Sequence, residues 1–412
     1  MLSKIRSNKN SIVQEDIFAD YIYVMVSTLN QMVNYIPLGI YKFKEIYNIT
    51  TSGSKYSKNK KWDENLQKIL IKEKIISAPL GEKYTLSFEQ ELISDVSKME
   101  DCLAENFEGQ KVFWNVTGGQ RSVAFAINKI SGPEDVVCYL EGNKNKIVLQ
   151  RNNFENFDIV ENYTTKELLK IETALELMGF EIKDTKTSQR KLLENLESNE
   201  TKIREKKFYI KLLEEFINDR FFRLQVVDFN IKNNKNAVKE TIFEKMNGLT
   251  YDNFENDFNK EYPLGYILEK LAGYKIYDVA KNKIADLSFS EKINFNDKHE
   301  KVTESAIDEF DIALLTRNGK FMIFECKSGA MSGDIAKSTK YSTYAVSGAY
   351  GLPILITPLT QEEINDVGEF NKLLKEGCYK NIKKSVLAAK RASLEVWGID
   401  KIEERLNHYL DN

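Results

Sequence analysis

Three charged residues in the last quarter of the chain have the types and the spacing that could hold a divalent cation. Asp311, Glu325 and Lys327 lie at the outer ends of two apolar runs, 310–316 and 320–324. A charged side chain on a buried strand is costly unless it has a partner or a metal. Carboxylate oxygens are the ligands that hard divalent cations prefer. The chemistry therefore depends on whether the fold brings Asp311 and Glu325 together.

The dipeptide Asn-Gly at 318–319 predicts a hairpin between the two runs. Because side chains alternate across a strand, the length of the hairpin loop decides which residues share a face. A two-residue loop would place Asp311 opposite Cys326, facing away from Glu325. A three-residue loop, with Gly319 in the left-handed conformation at a bulge, places Asp311 opposite Glu325. We predict the three-residue loop.

In the predicted register Ala313 pairs with Ile323, and Lys327 lies on the same face as the two carboxylates. Carboxylates about 5 Å apart at their Cβ atoms destabilise a sheet, because like charges repel. The same arrangement suits a hard divalent cation, which binds several oxygen ligands. The alternative is a hairpin whose rim charges are only solvated, which is the usual outcome for an isolated Glu-x-Lys motif.

The full spacing, Asp-x13-Glu-x-Lys across a hairpin, resembles the PD-(D/E)xK nuclease fold. The resemblance implies that Asp311, Glu325 and the backbone carbonyl of Cys326 bind Mg²⁺ or Mn²⁺. It also implies that Lys327 orients or activates the attacking water. A metal supports such chemistry by acidifying water and by neutralising the charge that builds up on the phosphate. We therefore expect a metal-dependent phosphodiesterase.

A further carboxylate is expected on the first helix of such a domain, because the family often places one there. An amphipathic helix is predicted over 258–271, and Glu269 is the candidate on it. An exposed surface glutamate is the alternative. The first strand of the domain is predicted over 279–289.

The front of the chain alternates predicted strands with predicted helices. The strands are expected at 20–27, 44–50, 111–116, 135–140 and 146–150. This alternation predicts a parallel, Rossmann-like sheet, in which ligands bind at the carboxyl ends of the strands. The Gly-rich loop over 115–122 opens a predicted helix, and bare N–H groups at a helix N-terminus attract phosphate. A plain tight turn is the alternative reading.

The loop sequence Asn-x-Thr-Gly-Gly-x-Arg-Ser after a strand resembles the ligand loop of CARF domains, the sensor modules of type III CRISPR defence. The resemblance covers about residues 15–150 and implies a homodimer that binds a cyclic oligoadenylate across its symmetry axis. Arginine stands where the family often has lysine, and it can hold phosphate bidentately. The residues implied to contact the ligand are Ser27, Thr28, Thr50, Thr51, Thr117, Gly118, Gly119, Gln120 and Arg121.

Composition excludes several other kinds of protein. The net charge of −3 argues against a nucleic-acid binder that works by bulk positive charge, so such contacts must use local patches. The four cysteines form no Cys-x-x-Cys pair, and a reducing cytoplasm fits this usage. The only two histidines, His299 and His408, argue against His-dependent hydrolysis. The N-terminus lacks a signal-peptide pattern, and the apolar stretch 21–29 is too short to span a bilayer.

These patterns predict an α/β chain of three parts. Residues 1–151 form the CARF-like sensor, 152–238 a helical connector and 239–412 a PD-(D/E)xK, restriction-endonuclease-like domain. Other helices are predicted over 88–105, from a capping box at 164–167 to 178, and over 188–222. In the last part, one helix carries Lys340, Tyr341 and Tyr344, and another over 379–394 carries Lys383, Lys384, Lys390 and Arg391. They could face a nucleic acid, although core tyrosines and a solvated basic face are the default expectations.

Together the two resemblances predict a CRISPR ancillary nuclease. We expect a homodimeric, metal-dependent endonuclease of antiviral defence that cyclic oligoadenylate switches on, with cyclic tetra-adenylate as the expected activator. The expected substrates are single-stranded RNA or DNA, with nicking of duplex DNA as a further activity. Two alternatives remain open: a ligand-independent restriction or repair nuclease, and a non-catalytic nucleotide-responsive regulator.

Overall fold

The structure, a computed structural model, describes residues 16–52, 57–141, 146–151, 155–161, 168–183, 196–295, 308–366 and 380–411. The Cα positions divide into two compact units. The first comprises Met1–Glu181 with Phe295–Glu300 and Arg317–Lys320, and the second comprises Ile182–Asn294, Lys301–Thr316 and Phe321–Asn412. Among the described helices, none is both long enough and apolar enough to cross a membrane.

The first unit is built on a seven-stranded sheet in the order β3-β2-β1-β4-β5-β6-β7. Its first five strands in this order run parallel, and β6 and β7 continue the sheet antiparallel. All residues of β1 are buried, as expected for a strand covered on both faces. The strands are β1 (Ile22–Val26), β2 (Glu45–Thr51), β3 (Thr85–Phe88), β4 (Val112–Asn115), β5 (Val136–Glu141), β6 (Lys146–Arg151) and β7 (Glu155–Glu161).

The strand order of the first unit reverses between β1 and β4, which pair directly in parallel. In open α/β sheets such a switch point leaves a crevice at the carboxyl ends of the two strands, because their following segments diverge to opposite faces. The helices of this unit are α1 (Met32–Ile40), α2 (Ser57–Lys72), α3 (Gln90–Ser94), α4 (Val96–Phe107), α5 (Arg121–Ile130) and α6 (Ile171–Leu177).

The second unit is built on a six-stranded sheet in the order β13-β12-β11-β10-β9-β8. The strands β9, β10 and β11 form an antiparallel meander, and β11, β12 and β13 run parallel. The strands are β8 (Phe180–Ile182), β9 (Ile284–Phe295), β10 (Asp308–Thr316), β11 (Phe321–Cys326), β12 (Leu352–Thr357) and β13 (Glu395–Gly398). The chain passes from the first unit to the second within β8.

Helices cover this second sheet and share its apolar core. Phe208 and Val226, from the part of the chain predicted as a connector, are buried in the same cluster as Leu314 and Phe324 of the hairpin. The predicted three-part division stays a prediction. The helices are α7 (Glu200–Asn218), α8 (Arg220–Ile231), α9 (Lys235–Lys245), α10 (Phe254–Phe258), α11 (Pro263–Ala280), α12 (Gly333–Ser347), α13 (Gln361–Asn365), α14 (Lys380–Ala392) and α15 (Ile402–Asp411).

Two helices that the sequence predicts as continuous are each broken at an aspartate that caps the next helix. The predicted helix over 88–105 is α3 and α4, because the Asp95 side chain accepts from Ser97 N (3.1 Å) and starts α4. The described part of the predicted helix over 188–222 is likewise broken at Asp219, which accepts from Phe222 N at 2.9 Å.

Other boundaries also differ from prediction. The strand predicted over 279–289 is β9, which begins at Ile284 because α11 continues to Ala280. The strands β3 and β7 were not predicted. The capping box at 164–167 and His299 lie outside the described residues, and the described helix α6 begins at Ile171.

Candidate functional site

The hairpin of β10 and β11 has the predicted bulged register. Ala313 pairs with Ile323 and Ile312 with Phe324, so the next pair along the ladder places Asp311 opposite Glu325. Gly319 has a φ of +81°, the left-handed conformation that the three-residue loop requires. The register prediction is confirmed. The three-residue loop therefore places Asp311 and Glu325 on the same face of the hairpin.

The carboxylates of Asp311 and Glu325 both contact the ammonium of Lys327. Lys327 Nζ lies 2.5 Å from Glu325 Oε1 and 3.8 Å from Asp311 Oδ2. The backbone N–H of Cys326 donates a hydrogen bond to Asp311 Oδ2 at 2.7 Å, which fixes the orientation of that carboxylate. The structure thus brings the three predicted side chains to one point on one face of the hairpin.

Burial and mutual repulsion shape the electrostatics of this cluster. Burial raises the pKa of Asp311 well above its usual value, the charge of Glu325 raises it further, and Lys327 partly opposes both. Burial by itself would lower the pKa of Lys327, but the neighbouring Asp311 and Glu325 outweigh it and the net shift is upward. A lone ammonium therefore holds a pair of carboxylates that would otherwise repel each other.

Glu269 projects from α11 toward the same cluster. Burial raises the pKa of Glu269 to about 7, with Lys327 and Lys260 lowering it and Glu309 and Glu325 raising it. The interaction with Lys327 and Glu325 places this predicted third carboxylate within electrostatic reach of the hairpin. At neutral pH a carboxyl group with this pKa can both take up and release a proton.

A buried ion-pair network, which the sequence analysis did not identify, anchors α11, the helix that carries Glu269. Lys270 is buried and its Nζ lies 2.5 Å from Glu205 Oε1 and 2.8 Å from Asp257 Oδ2. The hydroxyl of Tyr274 also donates to Glu205, at 3.1 Å. The only sequence signal was a lysine on the apolar side of a predicted helix. Because all three charges are paired, the network fixes the helix that presents Glu269.

Helix α12 also touches the site through hydroxyl groups that the sequence analysis did not single out. Thr339 Oγ1 donates to Glu325 Oε2 at 3.3 Å, and the hydroxyl of Ser342 donates to the carboxylate of Asp308 at the start of β10. Threonine and serine on the inward face of a helix are the signal that could have found these contacts. They hold α12 against the charged end of the hairpin.

The donor set of the cluster suits a hard divalent cation. Asp311, Glu325 and the carbonyl of Cys326 offer oxygen atoms only, and burial raises the pKa of the Cys326 thiol, so the thiol stays neutral. Within the described residues no group of three or more His, Cys, Asp or Glu side chains is arranged to hold a metal ion. Two carboxylates and a backbone carbonyl would therefore have to share the coordination with water and substrate, as Mg²⁺ usually does.

A second group of polar residues lies at the switch point of the first unit. The loop after β4 is fixed by Asn115, whose Nδ2 donates to Tyr23 Oη at 2.8 Å and whose Oδ1 accepts from Thr117 Oγ1 at 2.7 Å. Thr117 Oγ1 in turn accepts from Leu140 N at 2.9 Å. Thr117 therefore holds the loop to the end of β5.

The two glycines of this loop allow it to lie directly against the end of β1. A Cβ atom on Gly118 would be 2.7 Å from Thr28 Cγ2, and one on Gly119 would be 2.0 Å from Val26 Cγ1. Gly119 also has a φ of +81°. A side chain at either position would therefore require Thr28 or Val26 to move. The structure thus places the loop beside Thr28, as the sequence predicts for the carboxyl ends of neighbouring strands.

Ser27 is oriented by a buried carboxylate that the sequence analysis did not identify. Its hydroxyl donates to Asp63 Oδ1 at 2.7 Å, and Gln31 Nε2 donates to the same oxygen at 3.0 Å. Burial raises the pKa of Asp63, and the neighbouring polar side chains of Ser27, Asn48, Gln31 and Thr50 lower it. Asp63 therefore joins the ends of β1 and β2, where Ser27 and Thr50 lie.

The remaining predicted ligand residues border this region. Thr51 ends β2, and Arg121 is exposed at the first position of α5. The Gln120 side chain exchanges hydrogen bonds with Gln90. The loop after β4 and the ends of β1 and β2 thus converge, while Gln120 already has a protein partner.

Comparison with known proteins finds similarity to solved structures. No protein-family model matches the sequence. No curated protein matches it either.

The chain resembles several solved structures, among them the following three. Protein VC1899 from Vibrio cholerae matches with a TM-score of 0.59 and 15% identity, over 95% of this chain and 98% of that one. Can2 from Sulfobacillus thermosulfidooxidans, solved in complex with cyclic tetra-adenylate, matches with a TM-score of 0.57 and 14% identity, over 95% and 99%. A type III CRISPR defence DNA nuclease activated by cyclic oligoadenylate matches with a TM-score of 0.45 and 11% identity, over 86% and 47%.

The first two matches cover the chain and both relatives almost from end to end. The predicted α/β fold is therefore confirmed: a Rossmann-like parallel sheet at the front, helices in the middle and a second α/β sheet at the end, over the length that the chain shares with Can2.

Proposed function

We propose that the protein is a metal-dependent endonuclease of type III CRISPR antiviral defence that cyclic oligoadenylate activates. The observation that carries this proposal is the convergence of Asp311, Glu325 and Lys327 on one face of the hairpin. The fold shared with Can2, whose structure contains cyclic tetra-adenylate, supports the choice of activator. A fold alone does not determine function, so the argument depends on the sites.

In the proposed reaction the hairpin holds the cation and the scissile phosphate. Asp311, Glu325 and the carbonyl of Cys326 would bind Mn²⁺ or Mg²⁺, which acidifies water and neutralises charge on the phosphate. The ammonium group of Lys327 contacts both carboxylates. It would orient the attacking water and stabilise the negative charge that develops in the transition state. Glu269 would take up or release a proton, since its pKa of about 7 favours neither form at neutral pH.

In the proposed sensor the polar groups at the switch point of the first unit bind the ring. The N–H groups of Gly118 and Gly119, before the start of α5, would bind phosphate, and exposed Arg121 would add a bidentate contact. The N–H of Thr117 already donates to Asn115 Oδ1 at 3.2 Å, so Thr117 would have to exchange that bond to contact the ligand through its backbone. Ser27 and Thr28 after β1, with Thr50 and Thr51 at the end of β2, would line the rest of the pocket. Gln120 would have to exchange its bond with Gln90 for one with the ligand.

A homodimer follows from the symmetry of the proposed activator. A cyclic tetra-adenylate with twofold symmetry presents the same groups to two identical pockets, and an isologous dimer supplies such a pair. Ligand binding would then favour the dimer arrangement in which the nuclease sites are competent. The protein would act in the cytoplasm, where its nucleotide activator and its substrates would be found: single-stranded RNA or DNA, and duplex DNA that it would nick.

The decisive experiment is a cleavage assay with the full-length protein. Labelled single-stranded RNA, single-stranded DNA and supercoiled duplex DNA are incubated with Mn²⁺ or Mg²⁺ and with each cyclic oligoadenylate in turn. We expect cleavage that requires both the metal and one ring size, and none with EDTA. A Glu325→Gln variant, which keeps the volume of the side chain, should bind the ring and cleave nothing.

Other outcomes would select the alternatives. Equal cleavage with and without every cyclic oligoadenylate would contradict activation and favour a ligand-independent nuclease. Ring binding with no cleavage of any substrate would favour a non-catalytic regulator.

A further inference from the structure

Two neighbouring helices of the second unit are attached to the segment that carries the candidate nuclease site. Thr339 of α12 donates to Glu325, and Ser385 Oγ of α14 donates to the carbonyl of Gly329, two residues after Lys327, at 2.5 Å. The helices α12 and α14 also pack against each other. Because a helix with its side chains is about 10–12 Å across, the outer face of α12 lies about that distance from Glu325.

Helix α14 is basic and contains no acidic residue. Lys380, Lys384 and Arg391 are exposed and lie along one stripe of the helix, with Lys390 exposed beside them. In the part of the chain that the structure describes, none of them forms an ion pair with a carboxylate. In a chain of net charge −3, this is a local positive patch of the kind that attracts a phosphate backbone.

Helix α12 exposes two tyrosines where the sequence led us to expect core residues. Tyr341 and Tyr344 are 68% and 39% exposed, and they share the outward face of the helix with Lys337 and Lys340. Lys340 Nζ lies 5.7 Å from the ring of Tyr344. The single acidic residue of α12, Asp334, is 3.7 Å from Lys337, and such an exposed pair contributes little energy. Exposed aromatic rings next to cations are the combination on which unpaired bases stack.

We propose that α12 and α14 form a binding surface for single-stranded nucleic acid, which guides one strand past Lys327. Bases stack on Tyr341 and Tyr344, and the basic stripe of α14 binds the phosphates. The surface does not distinguish DNA from RNA, because ring stacking and phosphate contacts use groups common to both. Paired bases in a duplex do not expose their faces, so the duplex binds more weakly. The inference rests on the proposed function and deepens it by naming the surface and the residues that would bind the single-stranded substrate.

Equilibrium binding tests this surface without requiring cleavage. Fluorescence anisotropy is measured in EDTA, with and without cyclic tetra-adenylate, for single-stranded DNA, single-stranded RNA and a duplex of equal length. Replacing both tyrosines in Tyr341→Ala/Tyr344→Ala should weaken both single strands by about tenfold or more per stacked base, and the duplex much less. The double phenylalanine variant should bind like the parent, because it keeps the rings. Tyr139→Ala removes a tyrosine of the first unit that is 45% exposed and serves as the control.

The salt dependence of single-strand binding tests the role of the basic helix α14. Single-strand affinity falls with salt because phosphate contacts release counterions, with a slope of about −0.7 per contact. Replacing Lys384 and Arg391 together by alanine should lower the magnitude of that slope by about 1.4, while Lys98→Ala, at an exposed lysine of the first unit, should leave it unchanged.

Several outcomes would overturn the inference. The double alanine variant could bind single strands as tightly as the parent, or the double phenylalanine variant could lose as much affinity as the alanine variant. The alanine variant could also lose as much affinity for the duplex as for the single strands. Finally, the surface could bind a protein partner saturably and neither single strand. Failure of the proposed function looks different: the parent would cleave nothing with any metal and activator, although binding still depended on the tyrosines. Thermal unfolding of each variant establishes that it is folded.

Discussion

At the scale of single residues, the candidate site depends on Lys327. Its ammonium is 2.5 Å from Glu325 and 3.8 Å from Asp311, so in the absence of a bound cation it is the charge that keeps the carboxylates together. Lysine is a compact charge with rotatable donors, whereas arginine is a planar fork. The site is therefore expected to require lysine itself and not positive charge in general.

We predict that Lys327→Met lowers the single-turnover cleavage rate by about 100-fold or more, the loss typical when one preorganised donor to the transition state is removed. Lys327→Arg should recover little of that rate. Metal affinity should persist, because the oxygen ligands remain, and a Mn²⁺ titration would measure it. A Lys327→Met enzyme that cleaves at the parent rate would exclude a catalytic role for this residue.

Glu269 should leave a signature in the pH dependence of stability. Its pKa in the folded protein is raised to about 7 from an ordinary value of 4.5, so the folded state binds the proton more tightly than the unfolded state does. The resulting stability is complete below pH 4.5 and is lost as the pH rises through 7. The shift corresponds to an effect on the order of a few kcal/mol.

The measurement compares urea unfolding of the parent and Glu269→Gln in EDTA between pH 4.5 and 8. The variant should become more stable relative to the parent as the pH rises through this range, since glutamine cannot ionise. A difference that stays constant with pH would show that Glu269 titrates normally and that it lies away from the buried cluster.

At the scale of elements, the loop after β4 depends on two glycines for different reasons. Gly118 is needed for close approach to Thr28, whereas Gly119 combines a left-handed φ of +81° with a Cβ position 2.0 Å from Val26 Cγ1. Both features bring backbone N–H groups to the end of β1, where the ring is proposed to bind. A side chain at either position would push the loop away from β1.

We predict that Gly119→Ala destabilises the protein by about 1–3 kcal/mol, from backbone strain and steric overlap, and weakens cyclic tetra-adenylate binding at least tenfold. Adding Val26→Ala should restore part of both properties, because it removes the overlapping methyl group. Gly81→Ala is the matched control, since a Cβ atom there meets nothing within 4 Å. Urea unfolding and calorimetric titration would measure the effects, and equal behaviour of the Gly119 and Gly81 variants would contradict the prediction.

At the scale of the whole molecule, sensing and cleavage are assigned to residues that can be altered separately. Asp311 lies in the second unit, and the proposed ring contacts lie in the first. An Asp311→Asn protein should therefore keep the sensor and lose the metal-dependent reaction.

We predict that Asp311→Asn binds cyclic tetra-adenylate as the parent does, with one ring for two chains, and cleaves at least 100-fold more slowly. Saturating ring should raise the stability of both proteins equally, by about 2.7 kcal/mol at a ligand concentration 100 times the Kd. Analytical ultracentrifugation would give the stoichiometry, and thermal unfolding the stabilisation. One ring per chain would contradict the proposed symmetric dimer.

Features that depend on neighbouring residues could be predicted from the amino-acid sequence. The Asn-Gly turn with Gly319 fixed the hairpin register, because φ at a glycine and the two-residue alternation of a strand are local properties. The alternation of strands and helices fixed the Rossmann-like sheet, since parallel strands need crossovers. The glycines after β4 likewise marked the closest approach of a loop to the sheet.

Which distant residues meet depends on packing between elements and could not be predicted from the sequence. Asp63 contacts Ser27, Lys270 contacts Glu205, and Ser385 of α14 contacts Gly329. In each pair the two residues are far apart in sequence, and the periodicity of side chains along one helix or strand does not predict contacts at that distance. The exposure of Tyr341 was decided in the same way, because a helix pattern shows that two faces exist and packing selects the one that is buried. Local steric rules therefore formed the candidate site on the hairpin, and long-range packing supplied the charges and the surfaces around it.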